Sequence, residues 1–244
     1  SSCKIKSIGM DNMFSDGIEV IVFDADDTLW DCQSHFEKVE RRYCELLSSY
    51  GDEKTVAGEL FRTERENMAM LGYGTKAFTL SLIENAVRVS GGKVSGDMVG
   101  EIVSMGESLL SMPAVPLPGV YDALARLSGY RMAVFTKGEL LDQENKLRRS
   151  GLAGFFEHVE IVSDKTEREH AALCDRLGVV SRRVLMVGNS FRSDIAPAVA
   201  IGARAVHIPF HVTWELEKTE EYAHERIVRL SHISELPSLV LSGR

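Results

Sequence analysis

The sequence predicts an α/β protein: a Rossmann-like parallel sheet core that carries an inserted α-helical bundle. Three observations predict it. Several short apolar runs, mostly β-branched, stand without polar interruption, as strands buried on both faces do. Each run is separated from the next by enough chain for a crossover helix. One long interruption, Leu29 to Val115, has little strand character but repeats apolar residues at helical spacing.

In chain order, Ser1 to Gly17 shows no clear period and is left unassigned. The first strand is Val20-Ile21-Val22-Phe23, halted by the polar run Asp24-Ala25-Asp26-Asp27-Thr28. In the interruption, Phe36, Val39, Tyr43, Leu46, Leu47 and Tyr50 recur with helical period. Weaker stripes follow at Val56-Leu60-Phe61-Met68-Leu71, Phe78-Leu82-Ile83-Ala86-Val87 and Val99-Ile102-Val103-Leu109-Leu110. Four such segments joined by short Gly-containing links predict a bundle. Pro113, Pro116, Pro118 and Gly119 cannot continue a helix and mark a boundary and a hinge. The domain limits that follow are 1–30 with 114–244 for the core and 31–113 for the helical insertion. Further strands are read at Met132-Ala133-Val134-Phe135, Val159-Glu160-Ile161-Val162, Val184-Leu185-Met186-Val187 and Ala205-Val206-His207-Ile208. Trp214 to Ala223 reads as a polar helix, and Ile227-Val228-Arg229-Leu230 as a late edge strand.

Composition narrows the function. The 244 residues carry a net charge of −8, and no Lys/Arg run interleaved with aromatics is present, so nucleic acid is not an expected partner. No stretch has the roughly 18 to 20 consecutive apolar residues of a membrane span. Cys3, Cys32, Cys44 and Cys174 form no C-x-x-C pair, which fits a reducing, cytoplasmic setting better than a zinc cage or a disulfide framework. The sequence carries no signal for oligomeric state.

In open α/β sheets ligands collect at the carboxyl ends of the strands. Polar and acidic groups follow four of the apolar runs: Asp24-x-Asp26-x-Thr28, Thr136-Lys137-Gly138, Ser163-Asp164-Lys165, and Gly188-Asn189-Ser190 with Asp194 beyond. In extended chain Asp24 and Asp26 face one way with Cα atoms roughly 6 to 7 Å apart. Two carboxylates aimed at one pocket need a cation, a shared proton or a hydrogen-bonded neighbour. Asn189 and Asp194 can complete an all-oxygen site for a hard ion, and few protein ligands with room for water and a phosphate oxygen favour Mg²⁺ over Ca²⁺. A calcium loop does not fit, since Leu29 and His35 stand where its Gly and Glu belong. Taken alone, Asp26, Asp27 and Thr28 are more often a helix cap, and Lys165 a solvated surface lysine. Convergence at successive strand ends is what favours a site.

Phe23-Asp24-Ala25-Asp26-Asp27-Thr28-Leu29, Phe135-Thr136-Lys137-Gly138, Lys165 and Gly188-Asn189-Ser190-x-x-x-Asp194 together resemble the four ordered motifs of the haloacid dehalogenase-like hydrolase superfamily. The resemblance runs from about Glu19 to about Pro209. The wide gap between Thr28 and Thr136 is similar to members with a helical cap after the first strand, and the short gap from Thr136 to Lys165 leaves no room for the larger second type of cap. The resemblance implies that Asp24 is the nucleophile forming an aspartyl-phosphate and Asp26 the general acid/base, its main-chain carbonyl a metal ligand. Thr136, Lys137, Gly138 and Lys165 are then the groups that hold the phosphoryl oxygens, and Asp24, Asp26, Asn189 and Asp194 the metal set. Dehalogenases of the superfamily lack an acid at the position of Asp26, so this chain is similar to the phosphatase branch. The expected activity is Mg²⁺-dependent hydrolysis of a small phosphorylated metabolite. A sugar-phosphate mutase with the same nucleophile and a catalytically weak ligand-binding member are the alternatives. Asn189 departs from the pattern, which usually has an acid there; the amide oxygen can still ligate but contributes no charge, so Asp194 is either a second ligand or a partner of the site.

Gly72-Tyr73-Gly74-Thr75-Lys76-Ala77 matches a dinucleotide fingerprint by letters, but no strand precedes it. It reads as a loop between helices, with Tyr73 and Lys76 placed to select the leaving group if the loop faces the site. The methionines at 98, 105 and 112 read as a core stripe. His211 and Trp214 are assigned no role.

Overall fold

The computed structural model describes residues 17–242; the unassigned segment before Gly17, with Cys3, lies outside the described residues. Strands β1 (Val20–Phe23), β2 (Arg131–Lys137), β3 (His158–Val162), β4 (Val184–Gly188), β5 (Arg204–His207) and β6 (Ile227–Arg229) form one sheet in the order β3-β2-β1-β4-β5-β6. Every pairing is parallel, with Phe23 opposite Val134 on one side and Val187 on the other. This is a doubly wound order, and the chain reverses direction across the sheet at β1. β1 and β4 are wholly buried, as their unbroken apolar runs predict. β3 is an edge strand and only half covered, so Val159 remains 38% exposed. β6 is the late edge strand read from Ile227 to Leu230.

Helices α1 (Gln33–Leu46), α2 (Glu53–Leu71), α3 (Thr75–Val89) and α4 (Gly96–Leu110) fill the interruption between β1 and β2. Their stripes meet in a separate apolar cluster that includes Val39, Tyr43, Leu60, Leu82, Ile102 and Met105. Met105 is buried and Met98 packs against the cluster, as the methionine stripe predicts. Local caps fix the helix starts: the Asp52 carboxylate accepts the Thr55 N–H at 2.8 Å and the Ser95 hydroxyl that of Met98 at 3.2 Å. Inside the cluster the Tyr43 hydroxyl donates to Leu82 O and accepts from Asn85, so its burial leaves no orphaned hydroxyl. The outgoing and returning connections lie side by side: Trp30 bridges to Pro116, and the Leu117 N–H donates to Leu29 O at 2.9 Å.

Helices α5 (Val120–Arg126), α6 (Leu140–Ser150), α7 (Glu167–Leu177), α8 (Ala196–Ala200) and α9 (Leu236–Leu241) flank the sheet. One face of the sheet buries Ile21, Phe23, Val134 and Leu185 against α5 and α9; the other buries Val22, Phe135 and Met186 against α7. The polar helix expected over Trp214 to Ala223 does not form. Apart from a single 3₁₀ turn at Glu215–Glu217, the segment is irregular. The reason is tertiary: the Glu217 carboxylate and the Trp214 ring are both engaged by distant parts of the chain.

α7 also carries His170 into the layer below β2. Its Nε2 donates to Ser193 O at 2.9 Å and its ring packs edge-on to Phe135. Burial, with the nearby Lys165 charge adding, pushes its pKa down to about 4. Between about pH 6.5 and 4 the unfolded chain then binds a proton that the native state refuses, so stability falls as pH is lowered through that window. His170 accounts for about 3 kcal/mol of that loss. His170→Gln is expected to flatten the fall in urea midpoint between pH 6.5 and 4; slopes parallel to those of the parent would refute the assignment.

Candidate active site

Asp24 leaves β1 at the switch point, where β4 and β2 flank it. Its N–H continues the sheet pattern to Val187 O at 2.9 Å, and its carboxylate turns into a cavity of about 190 Å³. Asp24, Asp26, Thr136, Lys137, Gly138, Lys165, Asn189 and Asp194 all line this cavity, so the structure brings the sequence-derived residues together. The space is below the roughly 300–1,000 Å³ of pockets that hold drug-sized ligands. It suits a small molecule.

Lys165, 3% exposed, is the pivot of the inner wall. Its ammonium sits between Asp24 Oδ1 at 2.5 Å and Asp194 Oδ1 at 2.7 Å. Asp194 Oδ2 accepts the Ser190 N–H, so both of its oxygens are engaged by the protein. Gly188 permits this approach, since a Cβ there would overlap the Asp194 carboxylate. One lysine between two buried carboxylates leaves negative charge in surplus. Burial and the Asp194 charge together outweigh Lys165 and raise the Asp24 pKa to about 7.

Asp26 faces the cavity in a different setting. Lys146 contacts its two oxygens at 3.1 and 3.3 Å, Gln143 Nε2 donates at 3.0 Å and the Trp30 indole N–H at 2.9 Å. Burial works to raise its pKa, but Lys146 and the hydrogen bonds from Trp30 and Gln143 win, and Asp26 is held below the usual carboxylate range. Gln143 also donates to Thr136 Oγ1 at 2.7 Å, and the threonine hydroxyl in turn donates to Lys137 O in a long contact, Oγ1 to O 3.5 Å, that a ligand oxygen could displace. Asp27 takes the capping role weighed for the whole cluster: at φ 63° it accepts the Cys32 and Gln33 N–H groups at 2.7 and 2.9 Å.

Several residues stand otherwise than expected. The Gly138 N–H donates to Val162 O at 3.1 Å and is not available to a phosphoryl oxygen. Its φ of +135° and missing Cβ instead make room for Gln143. The Lys137 ammonium is held by Glu217 Oε1 at 2.5 Å and Ser193 Oγ at 2.9 Å, with the Tyr73 ring 3.8 Å away. Tyr73 does face the cavity, but Lys76 turns out to Glu139. His211 reaches Ser34, and Trp214 lines the cavity against Tyr73. Sequence reading missed Trp30, Gln143, Lys146 and Glu217. The first three left a signal, since Gln143 and Lys146 lie three apart on the buried face of α6 and Trp30 follows Asp26 by four.

The donor set suits a hard cation. Asp24 Oδ2 and Asn189 Oδ1 both lie 3.2 Å from Thr28 Oγ1, whose single proton can satisfy only one of them. Among the described residues no three His, Cys, Asp or Glu side chains gather as a metal cage. A few oxygen ligands completed by water is the usual manner of Mg²⁺, and a divalent charge here would offset the surplus that raises Asp24.

A model of the haloacid dehalogenase-like hydrolase family matches residues 18–202. A solved structure of a haloacid dehalogenase-like family hydrolase from Xanthomonas campestris superimposes with a TM-score of 0.83 at 31% identity, covering 93% of this chain and 91% of its own. The glyceraldehyde 3-phosphate phosphatase of Pyrococcus abyssi is 29% identical over 202 residues, 78% of this chain and 80% of that protein. That of Pyrococcus furiosus is 27% identical over 232 residues, 90% and 92% of the two chains. With the sheet order, the acids at its switch point and a match over most of its length, the chain belongs to the haloacid dehalogenase-like hydrolase family.

Proposed function

We propose that this chain hydrolyses a small phosphate monoester with Mg²⁺ through a phosphoenzyme on Asp24. The observation that carries the reading is the unequal treatment of two carboxylates in one cavity: Asp24 is held by Lys165, and Asp26 by Lys146, Gln143 and Trp30. Relatives named as phosphatases of a three-carbon phosphate support the substrate class.

In the first step an Asp24 oxygen bonds to phosphorus as the ester P–O bond breaks. Asp26 gives a proton to the departing alkoxide. In the second step water attacks phosphorus, Asp26 takes back a proton, the acyl-phosphate P–O bond breaks, and phosphate and free Asp24 result. Asp26 begins ionised, so it must gain its proton as the phosphate dianion enters beside it, which raises its pKa by like-charge repulsion. Lys165 and the Thr136 hydroxyl offset and orient charge on the phosphoryl oxygens. Asp24, Asn189 and the main-chain carbonyl of Asp26 would hold Mg²⁺, which when bound withdraws negative charge from the phosphoryl group. Asp194, with both oxygens engaged, positions Lys165 rather than ligating the metal. The helices of residues 31–113 act as a cap over the core of 1–30 and 114–244 and exclude bulk water.

Phosphate release from a panel of small phosphate esters tests this. Release that is lost with a chelator and restored by Mg²⁺ is the expected result. Release undiminished by chelation, or none from any ester, would refute it.

A further inference from the structure

The cavity wall holds eight carboxylates against three lysines, and each lysine is already paired. Lys165 is held by Asp24 and Asp194, and Lys146 by Asp26 and Asp142. Lys137 is the one lysine outside these catalytic pairs, and Glu217 takes it. The Glu217 carboxylate also accepts the Ser190 hydroxyl at 2.5 Å and the Ser193 hydroxyl at 2.6 Å. An ammonium and two hydroxyls converging on one carboxylate is the donor set of an anion site, filled here by the chain's own side chain. Glu217 is well buried, and Lys137 with the two serines holds its pKa below the usual range against the effect of burial, so it stays charged.

The opposite wall adds to the effect. Glu40 and Glu64 face the cavity from α1 and α2, and among the described residues neither has an ion-pair partner. Burial and the Glu40 charge push Glu64 up to about 8, so at neutral pH it is mostly protonated, and α1 and α2 bring no cation to the cavity. An ester with a second anionic group would meet a filled cradle on one side and a wall without a cation on the other.

We infer that Glu217 sets the charge specificity of the pocket: it fills the Lys137–Ser190–Ser193 cradle and thereby excludes phosphate esters whose leaving group bears a second anion. Resting on the hydrolase reading above, this narrows the substrate class to phosphate esters of alcohols without a carboxylate or second phosphate. Glu217 is a specificity residue that acts by occupancy and repulsion, with no part in bond making.

The test uses binding, so that it reads the filter whether or not Asp24 is a nucleophile. Two non-hydrolysable probes of nearly equal shape are titrated calorimetrically in the presence of Mg²⁺: 2-carboxyethylphosphonate and its neutral amide, 2-carbamoylethylphosphonate. The parent protein is expected to bind the amide roughly tenfold or more tightly than the acid, since opposing like charges in a buried site carry a large penalty. Glu217→Gln keeps the shape while removing the charge and one of the two acceptor oxygens that hold Lys137 and the serine hydroxyls. It is expected to reduce that preference about tenfold by strengthening acid binding. A second exchange, Lys137→Gln, in the Glu217→Gln background should cancel the gain, and a thermal melt confirms that both variants fold. An unchanged preference in folded Glu217→Gln, a gain that persists without Lys137, or binding of neither probe would overturn the inference. Probe binding in the expected ratio by a protein that releases no phosphate from any ester would instead sink only the hydrolase reading.

Discussion

Asp24→Asn should leave the fold intact and lower turnover of an aryl phosphate by about 10³-fold or more, the scale of removing a nucleophile that works with its neighbours as a unit. The amide keeps the shape of the carboxylate and its one oxygen can still accept from Lys165, while the Thr28 hydroxyl keeps Asn189 as its acceptor, but the amide has no charge with which to attack phosphorus. Stability should change little, because two effects oppose each other. One favourable contact with Lys165 weakens, while the repulsion between Asp24 and Asp194 disappears. Phosphate release and a thermal melt on one preparation check both halves. Hydrolysis at the parent rate, after removal of host phosphatases, would eliminate Asp24 as nucleophile.

Lys146→Met should be the most destabilising single exchange near the cavity, by about 3–5 kcal/mol, because it removes the cation from a buried group of charges rather than replacing the group. Lys146 is 2% exposed and touches both Asp26 and Asp142, and Asp142 Oδ1 already lacks a hydrogen-bond partner. The exchange also has a sign in pH. Lys146 is the strongest influence holding Asp26 below the usual carboxylate range, against the effect of burial. Without it Asp26 keeps its proton to higher pH, and since Asp26 acts as the acid in the step that forms the phosphoenzyme, the alkaline limb of kcat/KM should move upward. Urea unfolding and the pH profile measure the two effects. A stability within about 0.5 kcal/mol of the parent, with an unmoved alkaline limb, would show that Lys146 is incidental.

The parts of this protein that were legible in its sequence are those where one physical requirement dominates. β1 and β4 are covered on both faces, so their runs contain no polar residue to confuse the reading, and the polar residues that end them mark the sheet edge. The stripes of α1 to α4 were legible because the bundle buries one face of each. Asp24, Asp26, Thr136, Lys165, Asn189 and Asp194 sit at strand ends, where topology alone brings them together. The three-residue spacing of Gln143 and Lys146 was a weak signal, masked because α6 is rich in charged and amide residues all round and its buried face is itself largely polar. Glu217 had no local signature. It ends a single 3₁₀ turn in an otherwise irregular segment, and its place is set by hydroxyls on Ser190 and Ser193 and by an ammonium on β2. Gly138 shows the reverse error, a residue expected to donate to a ligand whose N–H serves the sheet and whose missing side chain serves Gln143.

Trp30 ties the connection that leaves β1 to the one that returns from the helices. Its indole grips the carboxylate of Asp26, while its backbone is stitched to Pro116 on the returning connection. If the four helices close over the core as proposed, a displacement at those paired connections would reach Asp26 through a single ring. On that mechanism, admission of an ester and the arming of the acid would be one mechanical event, and a molecule that failed to settle the helices would also fail to ready the chemistry.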